Sequence, residues 1–158
     1  MIKEGKLQEL EASREFFNRS TSALTEKESN FAPKEGMMTS AQIIAHVAQT
    51  FEWFIDGAFG ENGFSTDYEK LMAKITAYDS IEKARVYFEK AYKNYRSVIE
   101  SKTDEELLAP LKDTSIMGEA PCLAIIGATI EHTAHHRGAL SVYARLCGKV
   151  PPMPYIEQ

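Results

Sequence analysis

His132 and His136 stand four residues apart in the stretch IEHTAHHRGAL, Ile130 to Leu140. On a helix that spacing sets two imidazoles one above the other, near enough to chelate one metal ion. Two core histidines bonded to carbonyls would show the same spacing. Thr133, not a glutamate, follows His132, so the pair is not the zinc-protease motif in which that glutamate serves as base. At about 100° per residue, Ile125, Thr129, His132, His136, Ala139 and Tyr143 fall within roughly 40° of one direction. The pair therefore lies on an apolar stripe, where a ring nitrogen without a partner costs about 1–3 kcal/mol, and something must satisfy it. His135 turns aside to the flank beside Glu131, and Arg137, Ser141 and Arg145 are expected on a wet back face. A further imidazole, His46, comes from far upstream. On the wheel of its own helix it falls at the edge of the stripe with Thr50 and Trp53, a place from which it can reach the core while one side faces a cleft. An ordinary boundary histidine would sit there too.

The elements that must position these rings are helical throughout. From Lys3 to Leu24 the residues Leu7, Leu10, Phe17 and Leu24 recur at helical spacing. Thr25 to Met38 carries Asn30, Pro33 and Gly36 and predicts a solvated loop. Thr39 and Gln42 form a capping box ahead of a second helix with the stripe Ile43, Ile44, Val47, Phe51, Phe54, Ile55 and Ala58, ended by Gly57, Gly60 and Gly63. Glu61 to Tyr78 reads as a long crossover with one short amphipathic helix around Tyr68, Leu71, Met72 and Ile75. Asp79 and Glu82 signal the cap of a third long helix through Ile81, Ala84, Phe88, Ala91, Tyr95 and Val98. Its Tyr87, Tyr92 and Tyr95 line a pocket or simply pack. Thr103 to Glu106 caps a short turn stopped by Pro110, and Leu111 to Ala120 is another loop. Pro121 suits the first turn of a last helix that runs to about Cys147 and stops at Gly148. Long amphipathic helices with two extended connections predict an all-α four-helix bundle, a single domain over residues 1–158, in which helices adjacent in sequence need not touch. Bundles build metal sites from side chains on facing helices, so His46 can complete the pair.

The chain of 158 residues has 26% charged and 44% hydrophobic residues, ordinary globular values, and a net charge of −5 that argues against a nucleic-acid surface. No run approaches the eighteen or so apolar residues of a membrane span, and MIKEGKLQELEASREFF has no signal-peptide core. A soluble cytoplasmic protein is expected, with no nucleic-acid or membrane partner. Cys122 and Cys147 would lie roughly 37 Å apart along the last helix at 1.5 Å per residue, too far for a disulfide. Neither has a histidine at helical spacing, so both read as packing residues.

The segments TSAQIIAHVAQT, EHTAHHRGAL and GKVPPMPY resemble the DinB-like superfamily, which includes YfiT-type proteins. The resemblance runs the length of the chain in element order. It implies an up-down-down-up four-helix bundle with a divalent metal, zinc or nickel, held by three histidines. Carried over by position, these are His46, His132 and His136, with His135 outside the set. It also implies homodimers and, despite the damage-inducible name, no DNA binding. Three imidazoles leave positions open, whereas structural zinc sites are usually closed by four protein ligands. An ion with open positions activates water or holds a thiolate. Characterised relatives suggest metal-dependent hydrolysis, or S-transfer and isomerisation with a low-molecular-weight thiol such as bacillithiol, mycothiol or glutathione, acting on a small molecule. The alternative is a non-catalytic stress or binding protein whose metal pins the second helix to the last. Glu52, Glu131 and His135 point away from the site on the wheels, so no catalytic residue beyond the ligands is assigned.

Overall fold

Six α-helices make up the computed structural model, which describes residues 2–155: α1 (Ile2–Thr21), α2 (Ser40–Phe59), α3 (Tyr68–Thr76), α4 (Ile81–Ser101), α5 (Asp104–Leu108) and α6 (Ala124–Leu146). The long helices α1, α2, α4 and α6 bury one continuous core. Phe17 of α1 stacks on Phe88 of α4 at 4.7 Å between centroids, and Phe51 of α2 meets the rings of Phe88, Tyr92 and Tyr95 edge-on at 5.5, 6.0 and 5.5 Å.

Contacts between named residues give the direction of each helix. Along α1 and α6, Phe16 faces Arg137 and Ser20 bonds Ser141, so the pair is parallel. Along α1 and α4, Arg14 reaches Glu89 while Glu11 reaches Arg96, so that pair is antiparallel. Glu52 meets Tyr87 and Phe59 meets Lys102, which makes α2 and α4 parallel. Ala58 approaches Cys122 while Met38 takes the hydroxyl of Tyr143, which makes α2 and α6 antiparallel. The order is up-down-down-up, as the resemblance implies, and it sets α1 diagonal to α2 and α4 diagonal to α6. Among the described residues no helix is long and apolar enough to cross a membrane.

Local chemistry moves several expected boundaries. The first helix ends at Thr21 and not Leu24, because the Arg85 guanidinium takes the carbonyl oxygens of Thr21 and Leu24 at 2.8 and 3.4 Å. Leu24 stays buried all the same. The loop after it is less solvated than its charges suggest. It holds a 3-10 turn, Glu26–Glu28, and Glu28 accepts from Thr25 and from Lys149 beyond α6 at 2.8 and 2.5 Å. That turn also displaces the expected cap of α4. Ser29 and Glu26 accept the amides of Ile81 and Glu82, leaving Ser80, not Asp79, to cap Lys83 at 3.2 Å. At the start of α6, the amides of Cys122 and Leu123 bond the carbonyls of Ala109 and Leu107, at 2.9 and 2.8 Å. The chain around Pro121 is thereby pinned to the end of α5, so the helix begins at Ala124 instead.

The back face of α6 is likewise not wet throughout. Ser141 bonds Ser20 at 2.9 Å, and Arg137 lies between the rings of Phe16 and Tyr155. Because α6 packs against α1 as well as α2, it buries a second row through Ile126, Thr133, Leu140 and Ala144. Both cysteines are free, with Cys122 buried. Tyr92 and Tyr95 pack in the core, and only Tyr87 is partly exposed.

Candidate metal centre

The capping box expected at Thr39 is present and sets the register of α2: Gln42 N donates to Thr39 Oγ1 at 3.3 Å and Thr39 N donates to Gln42 Oε1 at 3.0 Å. Two turns on, His46 faces the middle of α6. Because α2 and α6 run antiparallel, His132 and His136 both come level with it. The ring centroids of His46 lie 4.9 Å from His132 and 4.8 Å from His136, and the helical pair is 4.5 Å apart. One nitrogen from each of the three rings falls within 4.8 Å of the others. His135 is exposed on the flank, as its wheel position predicts, and its ring meets only that of His136 within the cluster.

The electrostatics keep these rings neutral. Burial pushes His46 below the usual imidazole range. Burial first, then the charges of His46 and His135, brings His132 down to about 4. Burial first, then its histidine neighbours, brings His136 down to about 3. At neutral pH each ring therefore offers a lone pair, the form in which imidazole binds a metal.

The donor set fits a divalent cation. His46 Nε2 and His132 Nε2 are 3.1 Å apart, close to the edge of about 3.3 Å of a tetrahedron with bonds of 2.0–2.1 Å. Core histidines satisfied by carbonyls would show partners on their other nitrogens. Here Nδ1 of His46 and Nδ1 of His132 are buried without one. The nearby hydroxyls are spent along their own helices, Thr50 on His46 O at 3.0 Å and Thr133 on Thr129 O at 2.8 Å.

Beside His46 and His132 an apolar cavity of about 180 Å³ opens between α2 and α3, walled by Trp53, Phe54, Tyr68, Leu71 and Met72. Side chains on the outer face of α2 hold the crossover in place to form that wall. Gln42 Nε2 donates to Thr76 O at 3.4 Å, Gln49 Nε2 to Leu71 O at 2.9 Å and Trp53 Nε1 to Ser65 O at 2.8 Å. Phe64 lies against the backbone of α2 at Gly57, where a Cβ would come within 2.2 Å of its ring. The cleft expected beside His46 is thus real. That α3 roofs it does not show in the sequence pattern alone, although the apolar spacing of Tyr68, Leu71, Met72 and Ile75 carries the signal. Beyond Trp53 the cavity adjoins a wider cleft of about 480 Å³ with Glu52, Asp56 and Glu61 set against Lys74. Glu52 is committed to Lys74 at 2.8 Å and to the Tyr87 hydroxyl at 2.6 Å. Burial and the charge of Glu52 raise Asp56 above the usual carboxylate range.

Comparison with known proteins agrees with this architecture. YjoA of Bacillus subtilis (strain 168), described as an uncharacterized protein, is 27% identical over 143 residues, covering 87% of this chain and 88% of its own. Among solved structures, a DinB-like protein from Bacillus cereus superposes with a TM-score of 0.75 at 20% identity, over 94% of this chain and 95% of that one. The crystal structure of B. subtilis YjoA gives 0.69 at 18% identity, over 98% and 99%. YfiT of B. subtilis, described as a probable metal-dependent hydrolase with an unusual four-helix bundle topology, gives 0.71 at 15% identity over 93% and 88%. The family model for DinB matches residues 3–158, and the chain belongs to the DinB family.

Proposed function

We propose that the protein is a metal-dependent enzyme in which His46, His132 and His136 hold one divalent cation, zinc or nickel, and that it hydrolyses a small uncharged substrate. The observation that carries this reading is the convergence of three neutral imidazoles from two facing helices beside a cavity open to solvent. A cation there supplies Lewis acidity with coordination positions left for water or a thiol. The chain's own residues supply the surroundings: α3 shields the rings, Trp53 and Met72 shape the approach, and burial keeps the imidazoles unprotonated. The description of YfiT as a probable metal-dependent hydrolase supports the assignment of reaction class.

Thiol-dependent S-transfer is the second reading, and one observation favours it. Among the described residues no Asp or Glu lines the cavity beside the imidazoles, so none of them places a carboxylate base for water there, whereas a thiolate needs none. Against it stands the acidic cleft next door, where Glu52, Asp56 and Glu61 would repel a carboxylate-bearing thiol.

Zinc- or nickel-loaded protein, assayed against a panel of uncharged esters and amides with and without added thiols, tests the choice. Ion-dependent cleavage without thiol is the expected result. Turnover of an electrophile only when a thiol is supplied transfers the assignment to S-transferase. No turnover of any kind, in a protein whose melting temperature falls on chelation, returns it to a metal pin between α2 and α6.

A further inference from the structure

The geometry points to the cavity between α2 and α3 as a subsite for one uncharged ring, about the size of a phenyl group, carried by the substrate next to its reacting centre. This rests on the reading that the imidazoles hold that centre. The volume of about 180 Å³ sets the size, since an apolar void of about 150 Å³ takes up benzene. The ring would lie among Trp53, Phe54, Leu71 and Met72, with His46 and His132 at the inner end.

The polar groups on the wall explain why the occupant is uncharged. Gln49 Nε2, Thr50 Oγ1 and Trp53 Nε1 each donate within the chain, to Leu71, His46 and Ser65. Among the described residues the wall carries no Lys, Arg, Asp or Glu. A carboxylate passing the rim would lose its water and meet no free donor among Gln49, Thr50 and Trp53 in return, a large penalty. A hydroxyl free of hydrogen bonds among the described residues, that of Tyr68, stands at the rim, where Tyr68 and Met72 are 57% and 41% exposed. Those two side chains leave apolar surface in water that a seated ring would cover. On the far side of Trp53, Glu52, Asp56 and Glu61 turn away negative substituents.

Trp53, the sole tryptophan, reports on the cavity it lines. Full-length protein, zinc-loaded and zinc-free, is titrated with benzyl alcohol, benzoate and ethanol, and followed by Trp53 emission and by saturation-transfer NMR. Benzyl alcohol is expected to shift the emission saturably in both forms and to bind about ten- to a hundredfold more tightly than ethanol. In the zinc-free form benzoate is expected to bind more weakly than benzyl alcohol. Met72→Asp, at a rim position 41% exposed, should weaken benzyl alcohol about tenfold or more. Benzyl alcohol binding no tighter than ethanol, benzoate binding zinc-free protein as well as benzyl alcohol does, or Met72→Asp binding like wild type would each overturn the subsite. Zinc or nickel stoichiometry, measured on the same protein, judges the metal reading separately. A chain that takes zinc or nickel but no ring refutes the subsite alone, and one that takes the ring but neither metal refutes the metal centre alone.

Discussion

Replacing His132 by alanine should abolish the stabilisation that a divalent ion confers, and the size of that stabilisation can be worked out. The three imidazoles are already neutral and gathered within 4.8 Å in the folded chain, and the unfolded chain separates His46 from His132 and His136 by most of the sequence. The ion therefore binds the folded state selectively. At a free concentration one hundred times Kd this contributes about 2.7 kcal/mol. At about 2–4 °C per kcal/mol for a chain of this size, the melting temperature should rise by about 5–11 °C. Scanning calorimetry at fixed free zinc or nickel, paired with metal analysis of the same protein, measures both. His132→Ala should show a rise near zero and lose the ion. Its metal-free form should melt close to metal-free wild type, because the ring given up also carried a buried Nδ1 without a partner, a cost of about 1–3 kcal/mol. A variant that keeps one ion per chain and the full rise would refute the assignment of His132, and with it the geometry on which the proposed enzyme depends.

Two further outcomes follow from the packing and from the charges. Phe51→Ala removes the ring on which Phe88, Tyr92 and Tyr95 converge and should cost about 3–5 kcal/mol by urea denaturation; a loss below about 1 kcal/mol would mean that the α2–α4 core is not the main source of stability. The hydrogen bond from Lys149, then those from Thr25, hold Glu28 down to about 2. The folded state therefore releases this proton more readily than the unfolded chain, whose value lies near 4.5, and its contribution is complete above that pH and fades as pH falls to about 2. The stability difference between wild type and Glu28→Gln should shrink across that window, and a difference constant from pH 5 to pH 2.5 would refute the linkage.

Much of the candidate site was legible because both of its determinants are local. The spacing of His132 and His136 fixes their mutual position through helix geometry alone, and the Thr39–Gln42 box sets where α2 begins and so where His46 points. The diagonal arrangement that brings α2 against α6 followed from the resemblance and from long connections, not from any one residue. What escaped depends on partners distant in sequence. Ser80 caps α4 in place of Asp79 because Glu26 and Ser29 reach across from the first loop. Arg137 and Ser141 are covered because α6 touches two helices and a wheel drawn for one stripe allows only one. The roof over the imidazoles needed Gln42, Gln49 and Trp53 to be seen donating to carbonyls of the crossover, which no hydropathy pattern displays.

The parallel pairing of α2 and α4 has a consequence for how such proteins diversify. After Phe59 the polypeptide must walk back the whole height of the barrel of helices before Ile81 can set off in the same direction. That return leg contributes little to the central core, yet it supplies the roof over the imidazoles through Tyr68, Leu71 and Met72. Lengthening, shortening or recolouring it would retune what enters, while the scaffold and its imidazoles stayed as they are.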